Sequence, residues 1–365
     1  MPSTDHEQVP EDPVRLSRRS LLGAAAAGGA LGGLGAVGPP ALAAPVAGPA
    51  PARIGSGRHR EFWLSIESFE QNLVPTGFDQ MMGVAVSGAS FAGLGFRGYT
   101  PGFGAPLPAD DGPAGIGPNT GIPGPLLRAE VGDRVTVHLR NNDAEFRWPH
   151  SFHVHGWRYA SGSDGSWTYR DRGGDSRNGA AVAYGETYTY HYTVPATAVG
   201  TWPYHDHSMP QFYPGADPSV ANPMELAAQL GMFGIIAVTD ADTPRVDREF
   251  YLFFHDLYQD DVPVLSQDFD CFNGRAYLGN TPVFEARVGE RVRWRIAALG
   301  KEFHVFHLHG HRWFNGVYHT DSQMIGPSTT ATIEYTEDNA GDWLYHCHVT
   351  DHMQGGMMGR YTVTA

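Results

Sequence analysis

Lysine is almost missing from this chain. Among 365 residues it occurs once, at Lys301, so arginine carries nearly all the positive charge. Acidic residues outnumber basic ones, 39 to 25, for a formal net charge of −14. That balance argues against nucleic acid or an anionic membrane as a partner. Cysteine is scarce as well, limited to Cys271 and Cys347. No convincing membrane span is present. The Ala/Gly/Leu run from Leu21 to Val37 is too weakly apolar and too rich in glycine. Long helical patterns are few. The 46 glycines, 27 prolines and many short β-branched or aromatic runs point instead to an all-β build. The length leaves room for about two domains.

The first residues read as a targeting segment. Ser17-Arg18-Arg19-Ser20-Leu21-Leu22 is a twin-arginine pattern, and Ala41-Leu42-Ala43 fits an A-x-A cleavage site. Residues 1–44 are therefore expected to be a twin-arginine signal peptide, which makes the chain secreted or extracellular. Residues 45–60, rich in Pro, Ala and Gly, read as a flexible lead-in.

What the chain has in abundance is histidine, 18 in all. The densest motif is His346-Cys347-His348, with His352 and Met357 just after it. The apolar and aromatic run Asp342-Trp343-Leu344-Tyr345 before it reads as a buried strand. Successive strand side chains face opposite ways. His346 and His348 therefore point to one side and Cys347 to the other, so one short peptide serves two sites. A thiolate with imidazoles and a weak thioether is the donor set of a blue copper site. Cys347, His352 and Met357 supply three of its groups. His304 can supply the fourth, because its parity is opposite to that of His307 and His309 in His304-x-x-His307-x-His309-Gly310. Two further His-x-His pairs, His153/His155 and His205/His207, bring the count to four pairs. Chance does not explain four such pairs with one split by cysteine. A Cys271–Cys347 disulfide would destroy the best-formed motif, so Cys271 is expected to be a free thiol, buried or beside the Cys271-Phe272-Asn273-Gly274 turn.

The second half repeats the first. Val288-Gly289-Glu290-Arg291-Val292 matches Val131-Gly132-Asp133-Arg134-Val135, and His307-Leu308-His309-Gly310 matches His153-Val154-His155-Gly156. Gly341–His348 matches Gly200–His207, which puts Asp206 in the place of Cys347. This is a duplicated domain, with halves at 61–240 and 245–365. With no thiolate and no counterparts of His352 and Met357, the first half should have no blue site. His150 copies the spacing of His304 but reads as a leftover or surface residue. Met224–Leu230, inside a long insert from Ser208 to Leu230, reads as a short helix of unreadable role.

These motifs, in this order, resemble the multicopper oxidases. The short chain, with the cysteine motif only in its second half, looks like the two-domain bacterial members called small laccases. The resemblance implies two tandem cupredoxin-like Greek-key β-sandwich domains. It implies four coppers per subunit: a type 1 ion held by His304, Cys347, His352 and Met357, and a cluster of one type 2 ion and a type 3 pair. In that cluster His153 and His307 would hold the type 2 ion. His155, His205, His207, His309, His346 and His348 would hold the type 3 pair. Tyr159, Asp164 and Asp321 match residues beside the cluster in such enzymes. The implied activity is one-electron oxidation of phenols and aromatic amines coupled to reduction of dioxygen to water. A homotrimer is implied too, with each cluster shared between the first domain of one subunit and the second of its neighbour.

Other readings fit less well. Two-domain copper nitrite reductases carry the thiolate site in the first domain. A metallo-oxidase acting on cuprous or other metal ions is expected to show a dense Met-rich segment, and Met81-Met82 with Met353 and Met357-Met358 fall short of one. A copper electron-transfer protein leaves eight histidines unexplained, and the donor set is not one that zinc prefers.

Overall fold

The computed structural model describes residues 57–109, 112–166, 181–208 and 223–365. The expected signal peptide at 1–44 lies outside the described residues. Of the expected lead-in at 45–60, residues 45–56 also lie outside the described residues, and only its last residues are seen. The Arg58 amide donates to Asp133 Oδ1 at 3.0 Å, and a strand begins at His59, so partners far along the chain order this stretch.

The first half contains β1 (His59–Asn72), β2 (Phe78–Asp79), β3 (Val84–Ala85), β4 (Ser90–Tyr99), β5 (Leu127–Glu130), β6 (Arg134–Asn142), β7 (His153–Val154), β8 (Thr187–Thr193) and β9 (Gly200–His205). Helix α1 (Pro223–Leu230), over the expected 224–230, and β10 (Phe233–Thr239) complete it. The second half runs through β11 (Arg248–Leu257), β12 (Phe269–Phe272), β13 (Val283–Arg287), β14 (Arg291–Ala298), β15 (His304–Leu308), β16 (Trp313–Phe314), β17 (His319–Thr320), β18 (Ser322–Ile325), β19 (Thr330–Thr336) and β20 (Gly341–Cys347). Helix α2 (Thr350–Gly355) and β21 (Met358–Thr364) follow.

The duplication is visible in the sheets. In the first half they are ordered β4-β1-β6-β8 and β5-β10-β9-β7, and in the second β12-β11-β14-β19 and β13-β21-β20-β15-β18. The parallel pairs recur in the same places: β1 with β6 and β11 with β14, then β5 with β10 and β13 with β21. Each half is thus a two-sheet, cupredoxin-like sandwich. Sheet faces must bury their apolar side against another layer. The second sandwich does so around Phe250, Trp294, Phe306, Tyr345 and Tyr361, with Cys347 and Met357 in the same apolar cluster.

Strand β11 joins the halves. Phe250, Leu252 and Phe254 belong to the second core, whereas Tyr251, Phe253 and Leu257 belong to the first. That explains its near-continuous apolar sequence, since a strand covered on both faces loses the polar alternation. Around it, Glu249 meets Arg128 at 2.8 Å and Arg295 at 2.7 Å, and Arg295 Nη1 donates to the Gly200 carbonyl at 2.7 Å. Cys271 lies buried in β12, and both cysteines are free thiols.

Candidate metal centres

Strand pairing sets the three groups of donors. In β15, His304 pairs with Ile325 and His307 with Ser322, while His307 also pairs with His346 in β20. His304 and Phe306 turn into the core, and His307 and His309 lie partly open on the other side. In β20 both His346 and Cys347 are buried, on opposite faces, and His348 is exposed. One strand pair therefore feeds two sites, as the alternation predicts.

The inner site is compact. His304 and His352 face each other through Nδ1 at 3.2 Å, and Cys347 Sγ lies 3.9 Å and 3.8 Å from those two atoms. His304 and Cys347 are fully buried. Met357 is fully buried too, tied to the site by its amide on the His352 carbonyl (3.0 Å) and its carbonyl under the Cys347 amide (3.1 Å). The Val305 amide points at Sγ at 3.4 Å. Burial pulls His304 down to about 3, so its ring is neutral at neutral pH with a lone pair free. Burial also lifts the Cys347 thiol to about 11. A soft divalent ion is the kind of charge that ionises such a buried thiol.

The outer donors form two sets, one per sandwich. His153, His155 and His205 bring ligand atoms within 4.8 Å of one another, as do His307, His309 and His346. The closest pairs are His155 Nε2–His205 Nε2 at 3.2 Å and His309 Nε2–His346 Nε2 at 3.0 Å. His207 and His348 flank these sets, with rings 4.9 Å from His153 and 5.1 Å from His307. The backbone fixes the tautomers identically in the two halves. His153 Nδ1 donates to the Asp164 carbonyl (2.6 Å) and His307 Nδ1 to that of Asp321 (3.0 Å). His205 Nδ1 donates to the Asp206 carbonyl (2.9 Å) and His346 Nδ1 to that of Cys347 (2.8 Å). Each leaves Nε2 free, as a metal ligand needs. Burial lowers His155 to about 4 and His205 to about 3, and lowers His153, His309 and His346 as well. All are neutral donors at neutral pH. Glycines set the pair geometry: Gly156 and Gly310, at φ +77° and +71°, would drive a Cβ to 2.4 Å from Trp202 and 2.8 Å from Trp343. No ring of one set touches a ring of the other among the described residues.

Tyr159, Asp164 and Asp321 lie near the outer histidines. The Tyr159 ring is 6.1 Å from that of His153, and burial, reinforced by Asp164, raises its hydroxyl to about 12. Asp164 and Asp321 meet His153 and His307 through their carbonyls, and their carboxylates stand back at 3.8 Å.

Of the two readings of His150, leftover or surface residue, the second is overturned. His150 is not at the surface: it is 1% exposed, with Nδ1 2.6 Å from Asp206 Oδ2 and Nε2 3.2 Å from Asp143 Oδ2. Two acceptors in the interior outweigh the preference of an imidazole for water. Sequence reasoning also missed Asp256 and Asp270, which group with His352. Asp256 Oδ2 lies 3.5 Å from His304 Nε2, and burial together with Asp270 pushes its pKa upward. Nothing in the run Phe253-Phe254-His255-Asp256-Leu257 signals this, because the partners come from β12, β15 and α2.

Comparison with known proteins gives the family. Two family models, each described as Multicopper oxidase, match residues 107–217 and 255–365. The chain belongs to the multicopper oxidase family. It is 30% identical over 279 residues to Ferroxidase HEPHL1 of Homo sapiens, covering 67% of this chain and 23% of that protein. It is 29% identical to human Ceruloplasmin over 276 residues, 67% and 24% of the two chains. The chain spans about a quarter of the length of these relatives. Among solved structures, one described as a multicopper oxidase superposes with a TM-score of 0.61 at 20% identity, covering 86% of this chain and 94% of the other. A copper nitrite reductase from Nitrosomonas europaea gives 0.60 at 21%, covering 84% and 94%. These establish the fold.

Proposed function

We propose that the chain is a laccase-type oxidase: it takes single electrons from phenols or aromatic amines at the Cys347 site and passes them to dioxygen at the histidine cluster. One observation carries this reading. Cys347 lies in the inner site, while its covalent neighbours His346 and His348 lie in the outer one. The peptide backbone itself therefore joins the acceptor to the oxygen site. The donor sets suit copper, since thiolate with imidazole and all-imidazole sites are both ones it favours. Copper supplies one-electron redox cycling and oxygen binding. The chain supplies the rest. His153, His205, His307 and His346, their tautomers fixed by backbone carbonyls, present Nε2 at the cluster. Tyr159 holds its proton at neutral pH, and the Asp164 and Asp321 carboxylates, 3.8 Å from His153 and His307, are the acids nearest the cluster histidines for proton delivery.

We also propose that the cluster forms between copies. Each sandwich offers four of the eight outer histidines, and neither set touches the other within the described residues. Large apolar side chains stand exposed on both sandwiches, among them Phe78, Met81 and Met82 on the first and Phe303, Phe314, Val317, Tyr318 and Met324 on the second. This leaves apolar surface on both halves for a neighbouring subunit to cover. A homotrimer, each cluster using the first domain of one subunit and the second of its neighbour, satisfies both facts. With the twin-arginine pattern, the assembly is read as an exported enzyme. Secretion of the copper-loaded protein that depends on Arg18 and Arg19 tests that part.

A second reading is favoured by Asp256 and Asp270. Carboxylates beside His304 and His352 suit a metal ion as electron donor, as in a metallo-oxidase. Oxygen uptake decides between them. Turnover with methoxyphenols that exceeds turnover with ferrous and cuprous ions supports the laccase reading. The reverse order supports the metallo-oxidase.

A further inference from the structure

We propose that Asp206 and His150 form a metal-free clamp that presets the copper-binding histidines of the first sandwich, at the place where the second sandwich has its thiolate site. The inference rests on the copper reading of the eight outer histidines.

The positions correspond through the repeat. His150 stands three residues before His153, as His304 stands before His307, and Asp206 stands between His205 and His207, as Cys347 stands between His346 and His348. Both pairs are turned inward: His150 and Asp206 are 1% and 2% exposed, His304 and Cys347 not at all. The same ring nitrogen faces the partner in each half. His304 Nδ1 stops 3.9 Å from Cys347 Sγ, leaving room for an ion, whereas His150 Nδ1 closes to 2.6 Å on Asp206 Oδ2.

The carboxylate is fully engaged. Asp206 Oδ1 accepts from the Ser151 amide (2.9 Å), the Ser151 hydroxyl (3.0 Å) and the Ser208 amide (2.9 Å). Asp206 Oδ2 accepts from His150 Nδ1 and from the Ser208 hydroxyl at 3.0 Å. The other ring nitrogen of His150 faces Asp143, which also accepts the Phe146 and Trp148 amides. With a carboxylate at each ring nitrogen, both must donate, so the ring is an imidazolium with two counter-charges. The Ser151 hydroxyl in turn accepts the His207 amide at 3.0 Å. These bonds tie the segment leading into His153 to the segment carrying His205 and His207. Removing one partner of a buried charged pair is strongly disruptive, because the other is left uncompensated.

The first sandwich is thereby registered without metal. In the second, the corresponding place holds only the longer contacts of Cys347 Sγ with His304 and His352, at 3.9 Å and 3.8 Å.

The test uses the full-length copper-loaded protein and reads copper content and spectra. Asp206→Ala is expected to keep the blue thiolate band and to lose cluster affinity by on the order of 10- to 100-fold, read as copper released to a chelator and a changed type 2 resonance. Asp206→Asn keeps the Oδ1 contacts with Ser151 and Ser208 and is expected to lie between Asp206→Ala and the parent. It carries the test alone if Asp206→Ala does not fold. Cluster copper and type 2 resonance unchanged in both variants would overturn the clamp. So would loss of the blue band in step with the cluster in Asp206→Asn. A parent protein that binds no copper outside the Cys347 site would instead overturn the functional reading.

Discussion

The two sandwiches share the same core strand order and each carries an equivalent set of outer histidines, yet they differ in what fills their cores beside those histidines. The first holds a carboxylate, Asp206, bonded directly to His150. The second holds a thiol, Cys347, flanked by His304 and His352 with space between them. The lesson is that a β-sandwich can keep the frame of a metal site after its chemistry has changed. Alternation along β9 and β20 keeps one face for the cluster and leaves the other free to diverge.

The largest expected effect comes from deleting the difference in the second half. Cys347→Ser should abolish both the blue band and donor oxidation while copper still binds the outer histidines. Visible and electron paramagnetic resonance spectra on one sample check both. A variant that keeps donor oxidation contradicts the role of Cys347.

The next effect cuts the joint between the halves. Glu249→Gln leaves Arg295, which is 1% exposed, without its counter-charge. A cost of about 3–5 kcal/mol is expected in chemical unfolding. Acid should produce the same loss. Burial alone would raise Glu249, but Arg295, Tyr251 and Arg128 outweigh it and hold the carboxyl at about 2. A depressed carboxyl contributes stability that is complete above its unfolded value and is lost as pH falls toward its folded one. A drop in unfolding midpoint between roughly pH 4.5 and 2 is therefore expected, and should be smaller in Glu249→Gln, where only the other depressed carboxylates, Asp143, Asp206, Glu334 and Glu337 among them, still contribute.

A smaller change sharpens the contrast at the donor site. Asp256→Asn should lower kcat/KM for ferrous ion by on the order of 10- to 100-fold, with a smaller change for an uncharged phenol, if the metallo-oxidase reading holds. Equal effects on the two donors would return Asp256 to a role in orienting His304. The smallest effect is at Met357. Met357→Leu removes the weak thioether and should raise the potential of the blue site while leaving its colour. A redox titration showing no shift removes Met357 from the site.

Much of this was legible in the sequence because it rests on parity. His-x-His pairs, the cysteine between two histidines and the opposite phase of His304 need only the period of a strand. The internal repeat exposed Asp206 as the odd residue. What stayed hidden depends on contacts between distant segments. His150 looked like a remnant because its partners, Asp143 and Asp206, lie 7 and 56 residues away. The matched spacings of His150 with His304 and Asp206 with Cys347 did hold the clue, had the two been read as one pair. Asp256 and Asp270 gave no signal, since their meeting at His352 depends on the packing of α2 on β12. The ordering of His59 and Arg60 was masked by a Pro- and Gly-rich approach.

The most direct test of the account is copper per chain measured together with molar mass in solution. A trimer with four coppers per chain, an intense blue band and both type 1 and type 2 resonances is the expected result. A monomer that holds its full copper and consumes oxygen would contradict the shared cluster on which the account depends.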